Sequence, residues 1–166
     1  MATLAYIGLG SNLDHPRRHV ARALAELARL PRSHLVAASP NYASAPIGVS
    51  EPQPDYVNAV AALRTRLSPR SLLARMHSIE RRHRRTRITR NAPRTLDLDL
   101  LLFGRRRQRQ AGLVLPHPRM HQRAFVLLPL RDVAPSVSVP GRAAVRTLLR
   151  AVRDQRVMPT RRHAWR

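Results

Sequence analysis

Two aspartates separated by one residue stand out in a chain that contains few acids. The run from Thr95 to Leu100 reads TLDLDL, and the 166 residues include only nine acidic side chains. In a β-strand, alternate side chains share a face, so Asp97 and Asp99 would lie together, about 6–7 Å apart, opposite the leucines. Two carboxylates at so short a distance raise each other's pKa unless a cation lies between them. Mg²⁺, which shares its ligands with substrate phosphates, is the cation that this pattern favours.

A strand whose exposed acids pair with nearby arginines is the simpler interpretation of an Asp-x-Asp pattern. The preceding segment favours the metal instead, because residues 81–94 contain seven arginines. A planar guanidinium binds phosphate oxygens bidentately, which makes Arg85, Arg87 and Arg94 candidates to neutralise a polyphosphate. A solvated charge run remains the simpler interpretation for any one of them except Arg94, which follows a proline and stands three residues before Asp97.

His117 is the other side chain in a restricted setting. It lies between Pro116 and Pro118, which limit the backbone conformations that it can adopt. An imidazole held in this way could donate a hydrogen bond to a phosphate oxygen. A loop histidine with a purely structural hydrogen bond fits the spacing equally well.

Alternating strands and helices must position these residues. Hydrophobic periodicity and turn residues predict strands over 4–9, 35–42, 56–67 and 95–103, and helices over 16–30, from Ser68-Pro69 to Glu80, over 125–131 and around Leu148. Residues 43–55 are predicted to be an irregular loop, 111–115 a hairpin arm, 133–140 an extended segment and 160–166 a frayed tail. This order predicts a single α+β domain over residues 1–166, ferredoxin-like, with helices packed on a mostly antiparallel sheet.

The charge balance restricts the partners. Lys and Arg together number 31, all of them arginine, against nine acids, and the formal net charge is +22. Such a surface attracts nucleotides, nucleic acid or acidic lipid, although an excess of arginine over lysine also fits codon bias in a GC-rich genome. There is no cysteine, and no apolar run approaches the roughly 18 residues that span a bilayer. We therefore expect a cytoplasmic protein without disulfides or thiolate metal sites.

Four segments resemble the 6-hydroxymethyl-7,8-dihydropterin pyrophosphokinase family, in the order and spacing of that family. They are residues 8–12 (GLGSN), 54–58 (PDYVN), 93–99 (PRTLDLD), and 116–120 (PHPRM) followed by 123–125 (RAF). The resemblance implies a ferredoxin-like α+β enzyme of folate biosynthesis that transfers pyrophosphate from ATP to the hydroxymethyl group of the pterin and releases AMP. Its implied substrates are ATP and 6-hydroxymethyl-7,8-dihydropterin, and its implied cofactor is two Mg²⁺ ions.

The resemblance also implies which residues do this. On the nucleotide side, Asp97 and Asp99 match the metal-binding acids. The other matches there are the loop arginines that stabilise the transferred group (Arg85, Arg94), nucleotide and phosphate contacts (Arg87, His117, Arg123) and positions near the adenosine (Glu80, Leu100). On the pterin side, the matches are an aromatic neighbour (Tyr56), a stacking face (Phe125), the amide that reads the pterin edge (Asn58) and backbone groups of a holding loop (Ser44, Ala45, Ile47). Asn91-Ala92 stands where many relatives have Trp-Gly.

Two other classes of protein compete with an enzyme. A basic RNA-binding module would use exposed aromatic rings to stack bases, but the chain has only six Trp, Tyr and Phe residues, and its paired aspartates would repel phosphates. An inactive paralogue acting as a scaffold would tolerate loss of the acid pair, which is present. We therefore expect an active, monomeric enzyme with no membrane partner and no specific nucleic-acid partner.

Overall fold

One antiparallel sheet with apolar side chains on both faces organises the fold. The computed structural model describes residues 1–49, 51–83 and 95–160. The six strands of its main sheet are β1 (Thr3–Ser11), β2 (Ser33–Ala38), β3 (Tyr42–Ser44), β4 (Tyr56–Thr65), β5 (Asp97–Phe103) and β8 (Val157–Pro159). Their order is β5-β1-β4-β3-β8, and β2 pairs with β4 beside β3. A separate hairpin joins β6 (Gln108–Gln110) to β7 (Leu113–Leu115).

Four helices accompany the sheet: α1 (Pro16–Ala28), α2 (Pro69–Arg82), α3 (Ala124–Val133) and α4 (Val145–Ala151). α2 begins where the sequence predicts, because the Ser68 hydroxyl accepts a hydrogen bond from the Ser71 N–H at 3.1 Å and Pro69 occupies the first turn. The predicted α+β class, with helices packed on an antiparallel sheet, is confirmed. No helix among the described residues is both long and apolar enough to cross a bilayer.

The two faces of the sheet belong to two hydrophobic cores, and β4 contributes to both. Val57, Ala59, Ala61 and Leu63 pack with apolar residues of α1 and α2. Their neighbours Val60 and Ala62 pack on the other side with residues of α3 and α4. Because β4 lies inside the sheet with a core on each face, every residue from Val57 to Leu63 is buried, and the apolar run from Ala59 to Leu63 is uninterrupted.

β5 follows the alternation that the sequence predicts. Leu96, Leu98 and Leu100 are buried in the core formed with α1 and α2, so the two aspartates between them face the other side. Leu101 continues the alternation into the second core, and a β-bulge opposite Tyr6 and Ile7 of β1 then places Leu102 in that core as well. The bulge therefore changes the alternation of β5 only after the acid pair.

Three segments differ from the sequence prediction. The strand expected over 35–42 is two strands, β2 and β3, separated at Ser39-Pro40, where proline has no N–H to donate. β3 then extends to Ser44, inside the expected loop. The segment 133–140 begins with the last residue of α3 and continues as a turn with one isolated bridge, Ser138 to Ala144, so the extended segment expected there was wrong. β8 was not predicted, and of the tail expected to fray, residues 161–166 lie outside the described part.

Candidate active site

A pocket opens on the side of the sheet where the aspartates point. Its walls are the strands β1, β4 and β5, the loop after β3 and the start of α3. Nine residues predicted for the site line it together: Ser44, Ala45, Ile47, Tyr56, Asn58, Asp97, Asp99, Arg123 and Phe125. The structure therefore brings the implied metal acids and the implied pterin residues into one cavity, although they come from four separate parts of the chain.

Two glycines form the floor between the acids and Asn58. In the sheet register, Gly8 lies opposite Asp99, and Gly10 lies between Asp97 and Asn58. A Cβ atom on Gly10 would lie 3.4 Å from the Asn58 Oδ1 and 3.7 Å from the Tyr56 ring. The sequence prediction ended the first strand at Leu9 and took Gly10 as part of a turn, which was wrong, because β1 continues through Gly10 to Ser11. Two glycines at period two inside a strand are typical of a close approach.

The donor set of the acid pair suits magnesium. Asp97 and Asp99 are partly exposed to the pocket and lie on one strand face. Within the described residues, no group of three or more His, Asp or Glu side chains could enclose a metal ion. Mg²⁺ is typically bound by one or two carboxylates while water and substrate phosphates complete its coordination. The two aspartates therefore fit an ion that is held jointly with a phosphate substrate.

His117 lies beside the acid pair, in one defined tautomer. Its Nε2 is 3.9 Å from the Asp99 Oδ1, and the backbone N–H of His117 donates to the Leu101 carbonyl at 2.9 Å. The backbone N–H of Arg119 donates to the His117 Nδ1 at 3.2 Å, so Nδ1 carries no proton. The pKa of His117 is lowered to about 4, chiefly by burial and also by the positive charges of Arg123 and Arg119, while the Asp97 carboxylate opposes the shift. At neutral pH the ring is therefore uncharged and presents its Nε2–H toward the acid pair.

We expect the free protein to show this directly by NMR. The His117 imidazole should titrate near pH 4 and carry its proton on Nε2. Because an ordinary histidine in the unfolded chain titrates near pH 6.5, the folded chain binds fewer protons between pH 6.5 and 4. The stability contributed by this group is complete above pH 6.5 and is lost as the pH falls through that window. His117→Gln should reduce the loss, and titration near pH 6.5 would contradict the assignment.

Asn58 is the buried amide of the pocket. It is 3% exposed, and its Nδ2 donates to the Ser44 Oγ at 2.8 Å, with the Tyr42 carbonyl at 3.4 Å. Since both of these partners accept, the amino group points to β3 and the Oδ1 points toward Gly10. An oriented carbonyl in an enclosed pocket can accept from an N–H on the edge of a flat heterocycle.

The opposite wall carries the aromatic ring. Phe125 lies in the first turn of α3, and the guanidinium carbon of Arg123 is 5.5 Å from its ring centroid. The far end of α3 is tied to β3 by the Tyr42 hydroxyl, which donates to the Asp132 carboxylate. Burial, with Asp132, raises the pKa of Tyr42 to about 12, so the hydroxyl stays a donor.

Two predicted residues lie on the other face of the sheet. Leu100 is 5% exposed and packs in the core against α1 and α2. Glu80 is 3% exposed, and its Oε2 accepts a hydrogen bond at 3.1 Å from the backbone N–H of Leu98, the residue between the two aspartates. Neither residue lines the pocket, so the structure gives Glu80 a role in holding β5, and the predicted contacts of both residues with adenosine remain predictions.

The predicted loop arginines, Arg85, Arg87 and Arg94, lie outside the described residues, as do Asn91 and Ala92. The residues on either side of that segment are joined to each other, because the Thr95 Oγ1 donates to the His83 carbonyl at 2.6 Å. The buried His83 is held in turn by the Glu26 carboxylate, 2.6 Å from its Nε2. The two described residues that flank this segment, His83 and Thr95, therefore lie together, and Thr95 stands two residues before Asp97.

Comparison with known proteins points to one family. The family model described as 7,8-dihydro-6-hydroxymethylpterin-pyrophosphokinase (HPPK) matches residues 6–135. A Pseudomonas aeruginosa protein named 2-amino-4-hydroxy-6-hydroxymethyldihydropteridine pyrophosphokinase is 46% identical over 151 residues, which cover 91% of this chain and 93% of the relative. A Haemophilus influenzae protein of the same name is 41% identical over 154 residues, which cover 93% and 96%.

Solved structures agree on the fold. A crystal structure of an HPPK-DHPS protein in complex with substrates superposes with a TM-score of 0.68 at 14% identity. It covers 91% of this chain, which spans 43% of the length of the solved chain. Wild-type Plasmodium falciparum HPPK-DHPS with pterin and p-hydroxybenzoate gives the same TM-score and identity, with coverages of 90% and 43%. At this level of identity the likeness concerns the fold alone.

Proposed function

This chain belongs to the 7,8-dihydro-6-hydroxymethylpterin-pyrophosphokinase family, and we propose that its pocket transfers pyrophosphate from ATP to 6-hydroxymethyl-7,8-dihydropterin. The hydroxymethyl oxygen attacks the β-phosphorus, the bond between the β-phosphorus and the oxygen of the α-phosphate breaks, and AMP leaves as the hydroxyl proton is lost. The single observation that carries this proposal is that the acid pair and the Asn58–Phe125 pair open into one cavity. A phosphate donor and a flat acceptor can therefore meet there.

Asn58 and Phe125 hold the acceptor in this proposal. The Asn58 Oδ1, oriented by Ser44, accepts from the polar edge of the pterin, and the Phe125 ring stacks on its face. Tyr56 and the backbone of Ser44, Ala45 and Ile47 complete the enclosure. Ile47, a large apolar side chain that is 61% exposed at the pocket, offers surface for the ligand to cover.

Asp97 and Asp99 hold the phosphate end, together with two Mg²⁺ ions. Bound there, the ions supply charge neutralisation for the polyphosphate of ATP. The chain adds hydrogen bonds and positive charge: the His117 Nε2–H, beside Asp99, would donate to a phosphate oxygen, and Arg123 lines the pocket. Phosphoryl transfer depends mainly on such positioning and electrostatic stabilisation.

Several roles rest on the family resemblance alone. Arg85 and Arg94 would stabilise the transferred group, Arg87 would contact the nucleotide, and Glu80 and Leu100 would lie near the adenosine. Arg94→Ala should then depress the chemical step more than the affinity for ATP. A change confined to ATP affinity would make Arg94 a docking residue instead.

The deciding experiment is an assay for AMP released from ATP and Mg²⁺, with and without 6-hydroxymethyl-7,8-dihydropterin. We expect AMP to form only when the pterin is present, and the pyrophosphorylated pterin to appear in equal amount. ATP hydrolysis without the pterin would point to a different acceptor. A folded protein that forms no AMP in either mixture would contradict the proposal and favour a scaffold.

We further propose that residues 1–166 work as one monomeric catalytic domain in the cytoplasm. Both hydrophobic cores share the central sheet, which supports one cooperative unit. The cytoplasm, where ATP is abundant, suits the co-substrate. Light scattering at assay concentration tests the monomer.

A further inference from the structure

The side chain of Gln155 holds the segment that carries Arg123 and Phe125. Its Oε1 accepts from the Ala124 N–H at 2.9 Å, and its Nε2 donates to the Gln122 carbonyl at 2.8 Å. The two bonded backbone groups lie on either side of Arg123. One amide therefore brackets a pocket residue from a position more than thirty residues later in the chain.

The orientation of this amide follows from its partners. Ala124 is the first residue of α3, and its N–H belongs to the helical turn that has no acceptor inside the helix. The Gln122 carbonyl can only accept. A flipped amide would set donor against donor and acceptor against acceptor, so the bracket has one arrangement. Within the described part of the chain, no side chain at the N-cap position replaces it.

The backbone of Gln155 is itself anchored on both sides. Its N–H donates to the carbonyl of Val152 at 3.0 Å, and the Val152 side chain is 5% exposed in the core. Two residues later the chain enters β8, where Val157 pairs with Ser44 of β3. Residues 152–159 thus support the α3 wall of the pocket through Gln155 and the β3 wall through β8. Because this segment is hydrogen-bonded at both ends, it can fix the α3 wall relative to the β3 wall.

We propose that Gln155 is a positioning residue for both substrates. It fixes the peptide groups before and after Arg123, which sets the direction of the guanidinium toward the phosphate end and of the Phe125 ring toward the pterin end. The contact between that guanidinium and that ring, 5.5 Å from carbon to centroid, couples the two. This inference rests on the proposed function, since the two ends of the pocket are assigned there.

The competing interpretation is a helix cap that serves stability alone. Both interpretations predict a lower melting temperature when the amide is removed. Only a positioning role predicts that the Michaelis constants for the pterin and for MgATP rise together, because only then does the bracket act through groups that touch both substrates.

Gln155→Met and Gln155→Ala test this. Methionine keeps the length and apolar stem of the half-buried glutamine without either hydrogen bond. Asp154→Ala, a change at an exposed neighbour in the same turn, is the matched control. Initial rates of AMP formation would be measured with pterin and MgATP varied separately, together with calorimetric dissociation constants for each ligand and melting temperatures.

We expect both Gln155 variants to lower kcat/KM for each substrate about tenfold, the scale of two lost hydrogen bonds, while Asp154→Ala stays within about twofold of the wild type. A lower melting temperature with unchanged Michaelis and dissociation constants would overturn the proposal, as would a Met variant that equals the wild type. If the wild type forms no AMP, the proposed function fails, and the calorimetric constants alone then decide the role of Gln155.

Discussion

Asp97→Ala and Asp99→Ala should each reduce pterin-dependent AMP formation by at least about a hundredfold, which is the usual scale for losing a preorganised electrostatic group at a reacting centre. Both carboxylates open into the pocket from one strand face, and no third acidic or histidine side chain among the described residues joins them in a metal-binding group. In the proposed mechanism, removing either one leaves a single described carboxylate that could hold Mg²⁺. The loss should appear mainly in kcat, because the charge to be balanced grows as the bond to AMP breaks.

The same variants should fold normally. Their strand is held by the buried leucines on its other face and by the Glu80 carboxylate, neither of which the substitution touches. Relief of the repulsion between two neighbouring acids should leave the melting temperature of the metal-free protein unchanged or slightly higher. MgATP should stabilise the wild type and fail to stabilise the variants.

Asp154→Ala, at an exposed acid away from the pocket, controls for the general effect of removing a carboxylate from a highly basic protein. Asp99→Asn keeps the shape of the side chain without its charge and should be nearly as inactive as Asp99→Ala. A near-native rate for any of the variants at Asp97 or Asp99 would refute the metal assignment.

Asn58→Ala should weaken pterin binding about 30- to 100-fold and change the dissociation constant of MgATP by no more than about twofold, as expected when a buried hydrogen-bonding group loses its partner. The Asn58 Oδ1 points toward the glycine floor, where it can meet the edge of the acceptor, while its Nδ2 is occupied by Ser44. The acid pair lies on the other side of β1 from Asn58. If the acid pair binds the nucleotide, as proposed, the affinity for MgATP should change little.

Calorimetry with the pterin and with MgATP separates these effects. Urea unfolding should show a smaller loss, about 1–2 kcal/mol in the free energy of unfolding, because the Ser44 hydroxyl loses its donor. Asn41→Ala, which removes an amide next to β3 but outside the pocket lining, serves as the control. Unchanged pterin affinity in Asn58→Ala would remove Asn58 from the recognition of the acceptor.

Local rules were enough to predict the two faces of β5 at the acid pair and the start of α2. The period of two in a strand separates Asp97 and Asp99 from the leucines between them, and β5 shows that separation. The Ser68-Pro69 start of α2 is equally local, since a cap bonds within its own turn. Each of these predictions depends only on neighbours a few residues apart.

The family motifs predicted site residues that hydrophobic periodicity could not. Asn58 and Phe125 have no chemistry of their own that marks them in the sequence, and only the resemblance to a family brought them forward. The structure places both of them in the cavity with the acid pair. For Arg85, Arg87 and Arg94, which lie outside the described residues, the resemblance remains the whole basis of the prediction.

The sequence by itself determined the class of fold, the two faces of β5 and the family, because these follow from spacing along the chain. Only the tertiary structure decided that Glu80 supports Leu98, that His117 is a neutral Nε2–H donor, and that Gln155 brackets Arg123. Each of these depends on a buried polar group finding a partner or on the loss of solvent around it. Glu80 and Gln155 bind partners many residues away, and the burial of His117 comes from the assembled fold. None of these three results can therefore be predicted from the spacing of residues in the sequence.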